Sequence, residues 1–219
     1  MRKFQDIEFR DNFIFFLVVI ILISIFFTKD YLVTVANDID LDRADNIKVL
    51  EPKLAEEIIS EKTSIVIKAI KFKNFRTLKK FIHPKKGLRL SPYPYIMLRD
   101  KIIKKNDITR LYRNGEIFTW GVDNNLAPIE LSFAEYYEQY LYSDDFANYD
   151  ELWFNPINKD SNIIDNTRQS FPRGIFVEYH IFDNFIDNKP RYLSLIKLVF
   201  EEYRGHWYLS AIINVRGAK

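Results

Sequence analysis

The 219-residue chain contains no cysteine, which removes thiol nucleophiles, thiolate-held metals, disulfides and lipid attachment through sulfur. Glycine is scarce. The six positions, 87, 115, 121, 174, 205 and 217, never fall closer than six apart, so no glycine cluster cradles a phosphate, and no G-x-S-x-G elbow occurs. The three histidines, His83, His180 and His206, do not stand at the short spacings that hold zinc on one helix or hairpin, and no metal or other cofactor is expected. Charge of one sign is missing as well: 32 basic and 30 acidic residues leave +2, so no whole-molecule field points to nucleic acid. Repeats and low-complexity tracts are absent. What is plentiful is apolar surface, with 47% hydrophobic and 16% aromatic residues, enough for a real core in one ordinary domain plus an appendage.

Phe13 to Thr28 reads FIFFLVVIILISIFFT, sixteen residues without a charge, between Asp11 and the Lys29-Asp30 pair. At about 1.5 Å per residue it spans ~24 Å, short of the ~30 Å hydrocarbon core unless the bilayer thins or Lys29 snorkels. The charged flanks favour a retained single-pass anchor. A cleaved signal peptide, cut after Ala36 with Thr34 two residues before, and a buried soluble helix stay open as alternatives. Arg2, Lys3 and Arg10 precede the run, against Lys29 and Arg43 in the seventeen residues after it. The positive-inside bias therefore keeps the tail in the cytoplasm. The organisation expected is a cytoplasmic tail 1–12, a transmembrane anchor 13–28, a polar acidic linker 29–50 and a domain 51–219 outside a bacterial cell membrane.

Within that domain, Ile58, Ile59, Lys62, Ile65, Val66, Ala69 and Ile70 recur at helical spacing and predict a long amphipathic helix over 52–72. Asn74 is a cap for a second, short helix reaching Ile82. Pro84 and Gly87 punctuate before a short strand at Leu88 to Tyr93, and Asn114-Gly115 ends a weak helical stretch from Asp107. Strand resumes at Ile117 to Trp120. Ser132 with Glu135 forms a capping box for a helix from Phe133 to about Leu141. The last third reads as strand: Ile175 to Phe182, then a hairpin of Leu193–Tyr203 and His206–Val215 around Arg204-Gly205. In its second arm Trp207, Leu209, Ala211, Ile213 and Val215 alternate onto one face. Helices first and long strands last give an α+β order, with helices on one face of a curved antiparallel sheet.

His83-Pro-Lys-Lys-Gly87-Leu-Arg89-Leu-Ser91-Pro92-Tyr93 is the most distinctive stretch. With Thr119-Trp120-Gly121, Phe176-Val-Glu178-Tyr179, Ser194 to Glu201 and Gly205-His-Trp207-Tyr208-Leu209 it resembles a family of uncharacterised bacterial envelope proteins, many of them lipoproteins. The resemblance covers roughly residues 70–213 and implies an α+β domain similar to the NTF2-like, cystatin-like cone, with no known activity. The chain departs from the pattern in lacking a lipidation cysteine, so an anchor helix would replace the lipid, and in ending Asn214-Val-Arg-Gly-Ala-Lys219 in place of a polar, aromatic tail.

Two groups of residues are candidates for function. Glu178 and His180 are two apart on a strand and share a face. In a cone-shaped cavity with Trp120, Tyr93 and Tyr95 they would serve as acid and base, while on an open sheet face they are simply wet. His83, Arg89 and Tyr93 would present a binding edge, or would serve a helix-to-strand turn in which Gly87 takes positive φ. A third feature is the basic stretch from Lys68 to Arg89, nine Lys or Arg with no acid, opposed by nine acids and no Lys or Arg over 114–158; this reads as a solvated or internally neutralised face. The function expected is a membrane-anchored binding or interaction module whose partner is an envelope protein, a peptide or a small molecule, with an acid/base enzyme using Glu178 and His180 as the alternative.

Overall fold

The computed structural model describes residues 50–123, 127–156, 165–186 and 189–216. All of them belong to the unit that runs from Lys48 to Lys219. The expected tail and anchor, and all of the linker but Leu50, lie outside the described residues. Among the described residues no helix is long and apolar enough to cross a membrane.

The elements in chain order are α1 (Pro52–Lys71), α2 (Phe75–Phe81), β1 (Leu88–Ser91), β2 (Lys101–Ile103), α3 (Ile108–Asn114), β3 (Ile117–Val122), β4 (Pro128–Ser132), α4 (Phe133–Tyr136), β5 (Glu151–Phe154), α5 (Thr167–Ser170), β6 (Ile175–Ile186), β7 (Lys189–Tyr203) and β8 (His206–Arg216). Proline at the first position starts α1, where its missing N–H is no loss, and Lys68 and Lys71 complement the dipole in its last turn. The buried row is Ala55, Ile59, Thr63, Val66, Ile67 and Ile70. Ile65, predicted to share it, is 38% exposed because it stands beside the three-four spacing rather than on it. Asn74 caps α2 as predicted, its Oδ1 accepting from Thr77 N at 3.1 Å. The Ser132–Glu135 capping box is present, but the α-helix it opens lasts one turn before widening into a π-helical turn over Tyr137–Leu141.

Six strands form one sheet in the order β2-β1-β8-β7-β6-β5, and β3 and β4 make a separate hairpin. Every pairing in the large sheet is antiparallel except β1 with β8, which runs parallel with Arg89 beside Ala211 and Ser91 beside Ile213. The result is a mixed α+β domain, as predicted at the level of class. The β7–β8 hairpin turns at Arg204 and Gly205, both at positive φ (54° and 76°), the twist that tight two-residue turns need.

The predicted single alternation along β8 is broken. Val199 pairs Ala211 while Phe200 pairs Leu209, so Ser210 is an extra residue in a bulge. A bulge shifts the face of everything beyond it. Leu209 consequently packs in the helix-side core, whereas Ala211, Ile213 and Val215 pack on the other face. Trp207, predicted on one apolar face with all four, is half-buried at the rim of the helix-side core.

Both faces of the sheet are thus covered. The helix-side core is filled by aromatic rings, with Trp120 stacked on Tyr136 at 3.9 Å and its indole N–H donating to Leu131 O. The second face carries a smaller apolar cluster of Phe176, Val199, Ala211, Ile213 and Val215, covered by Ile96 and Phe171 from loop segments. At the surface, Lys71 reaches Asp145 and Lys73 reaches Glu138, so acids of the 114–158 stretch do face part of the basic one. Exposed pairs of this kind contribute under about 1 kcal/mol each.

Candidate functional site

The His83–Tyr93 stretch is a folded connection. His83 Nδ1 accepts from Lys85 N at 3.2 Å and Lys86 N at 3.0 Å, closing the turn after Pro84. Burial pulls the imidazole down from its ordinary value, which suits that acceptor role. Gly87 follows at φ 78°, with Ile103 O 2.8 Å from where a Cβ would stand, so only glycine fits. Arg89 then sends Nη1 to Met97 O at 2.8 Å and stands 3.8 Å from Asp100 Oδ2, while Asp100 accepts from Met97 N at 2.9 Å. Arg89 and Asp100 therefore pin the loop between β1 and β2 back across the sheet. Ser91 Oγ donates to Tyr93 O at the start of that loop.

Of the cavity residues predicted together, the structure brings together only some. Trp120 and Tyr93 belong to the helix-side core, Trp120 fully buried and Tyr93 packed at its margin. Tyr95 is 45% exposed in the loop. Glu178 and His180 alternate to the opposite face of β6, so no cavity unites them with Trp120. That face is neither wet nor open at this point, for Glu178 is 2% and His180 1% exposed.

What surrounds them is an ionic network. Glu178 and Lys197 are direct cross-strand partners in the β6–β7 register, with Nζ 3.0 Å from Glu178 Oε1. The other Glu178 oxygen lies 3.1 Å from His180 Nε2, and the Trp153 ring covers the imidazole at 4.1 Å between centroids. Lys197 Nζ also donates to Asp165 Oδ2 at 2.6 Å. Arg168 lies over the Phe176 ring at 4.8 Å and donates to Pro156 O. Burial alone raises the Glu178 carboxyl, but the His180 contact and the Lys197 charge outweigh it and hold it below its ordinary value. The same competition, with Lys197 as the counter-charge, lowers Asp165. Chemically this is a charge-holding arrangement that ties the 165–171 segment to the sheet.

Beside the network lies an open groove of about 560 Å³, on the same second face. Arg89 of β1 and its register partner Ile102 of β2 form part of the floor, with Ser210 from the β8 bulge. One wall is Ile96, Met97 and Leu98; the other is Asn166, Ser170 and Phe171, and Lys86 stands at the margin. Asn166 holds the walls together, its Oδ1 accepting from Ile96 N at 2.7 Å and its Nδ2 donating to Ile96 O at 3.0 Å. The volume falls within the range of small-ligand sites. Among the described residues no cluster of His, Asp and Glu is arranged to hold a metal ion.

Sequence reasoning found Arg89 but missed the rest of the groove and the partners of Glu178. One signal was present: Lys197 is the only charged residue in the run from Leu193 to Phe200, and a lone cation in a buried strand needs a counter-charge. Nothing in the sequence marks Asn166 or Phe171. Comparison with protein-family models, curated proteins and solved structures finds no match to this chain.

Proposed function

We propose that this protein is a ligand-binding module, held at a bacterial membrane by residues 13–28 with its α+β domain outside the cytoplasm, and that the groove on the second sheet face is where it binds. The groove is the observation that carries this reading: an open, largely apolar concavity bounded by well-tied walls. An acid/base enzyme built on Glu178 and His180 gains no support from a pair this buried and this tightly committed to Lys197. The envelope assignment rests on the sixteen-residue apolar run and the charges that flank it. An NTF2-like cone is the finer fold we favour, supported by two leading helices packed on a sheet whose long strands carry β-bulges, the feature that bends a sheet.

The test is a fragment library screened by ligand-observed NMR against the full chain in lipid nanodiscs, with empty discs and the Ser170→Trp variant as references. Ser170 is exposed on the groove wall, so tryptophan there fills the groove without disturbing a core. Fragments that bind the wild type and are lost from Ser170→Trp are the expected result. A library that yields none, or whose hits ignore the plug, overturns the binding reading. Turnover abolished by Glu178→Gln in a folded protein would establish the enzymatic alternative instead.

A further inference from the structure

The groove is not uniformly apolar, and both charged residues that line it are cations. Arg89 and Lys86 line it, whereas the acids they pair with, Asp100 and Glu201, are not among its lining residues. The groove lining therefore carries the cation of each pair and not its anion. Arg89 has five N–H donors in a rigid fork and spends one on Met97 O. Beside it in the floor, Ser210 is 3% exposed, and its hydroxyl has no hydrogen-bond partner. A buried hydroxyl left unsatisfied is destabilising, and a ligand oxygen that reaches it relieves that cost. The remaining surface, Ile96, Leu98, Ile102 and Phe171, offers an oxygen-rich group nothing and an apolar chain a great deal. Leu98 is fully exposed and Ile102 46% exposed, although both border this concavity.

We propose that the ligand of this groove is an amphiphilic anion, a carboxylate or phosphate joined to an apolar chain, with its head on Arg89, Lys86 and Ser210 and its chain along Ile96, Leu98, Ile102 and Phe171. The proposal rests on the binding reading above and specifies its ligand class. The head takes bidentate donation from the guanidinium fork and a hydrogen bond from the Ser210 hydroxyl. The chain buries the apolar surface that Leu98 and Ile102 otherwise leave in water. A free fatty carboxylate and a phosphate-headed lipid offer the same chemistry to these residues, and only the head distinguishes them.

Four probes with one chain separate the possibilities: octanoate, octyl phosphate, octanol and octyltrimethylammonium. Each is titrated against the full chain in nanodiscs, with the signal from Ser170→Trp discs subtracted. At least one of the two anions should bind about tenfold more tightly than octanol, and the cation more weakly than either. Which anion leads identifies the head. Arg89→Gln should erase that preference while leaving octanol binding in place. Because Arg89 also ties the loop to the sheet, Lys86→Gln and Ser210→Ala provide a second reading, each lowering anion affinity severalfold with octanol unchanged. Equal affinity for octanol and both anions, or anion binding untouched by Lys86→Gln and Ser210→Ala, overturns the ligand class while the groove remains a binding site. Loss of all plug-sensitive binding removes both.

Discussion

Lys197 shows how much one residue decides in this domain. It is 5% exposed and serves two carboxylates, Glu178 across the strand pair and Asp165 on the covering segment. Removing one member of a buried ionic group leaves the others charged and desolvated, which costs about 3–5 kcal/mol. Lys197→Met keeps an unbranched side chain one atom shorter and deletes the charge, so it should lower urea stability by about that amount. A denaturation midpoint equal to wild type would mean that water, and not Lys197, satisfies Glu178. The pair Glu178 and His180 was legible in the sequence as a same-face pair, because strand alternation is a local property. Their burial was not, since it depends on Trp153, Asp165 and Arg168 arriving from distant segments.

At the scale of elements, the connection from α2 to β1 illustrates a fold held by backbone constraints. Gly87 sits at positive φ against the backbone of β2, while Gly115, which caps α3 at φ 65°, has nothing within 4 Å of a built Cβ. Gly115→Ala should cost about 1 kcal/mol, the left-handed penalty alone. Gly87→Ala adds a collision with the carbonyl of Ile103, and should cost at least about 2 kcal/mol by calorimetry. Equal losses at the two sites would show that β2 gives way freely. The helices α1 and α2 and the β7–β8 hairpin were legible because caps, spacing and turn residues are written locally. The bulge at Ser210 was not, since nothing in the run Leu209-Ser210-Ala211 distinguishes a bulged residue from an alternating one. That single slip moved Ala211, Ile213 and Val215 to the opposite face and left Trp207 at a rim.

At the scale of the whole domain, the sheet separates a buried aromatic layer from a mixed layer held partly by charge, and the two should respond differently to acid. Glu178 and Asp165 both titrate below their ordinary values in the folded state. Groups lowered in this way contribute stability that is complete above the unfolded carboxylate pKa of about 4 and is lost as pH falls through the folded values. Lys197 and Arg168 are the cations that face them, so protonating the carboxylates also leaves like charges together. Hydrogen exchange compared at pH 7 and pH 3 should show protection lost first over residues 165–171, with α1 and the strands facing it retained longer. Uniform loss across the domain would show that the two layers unfold as one unit.

The sequence by itself determined the class of the domain, the starts and stops of its main helices, the terminal hairpin and the absence of thiol and glycine-loop chemistry, because each depends on residue type or on spacing within one element. It also located a compact basic stretch, two of whose lysines meet the acids that the sequence set against them. Only the tertiary structure decided that both faces of β6 are closed, that β1 runs parallel beside β8, and that residues from three separated stretches, 86–102, 166–171 and 210, wall one groove. Those are long-range pairings, set by how a bulged sheet twists and by which loops are pinned across it. No periodicity within a single element carries that information.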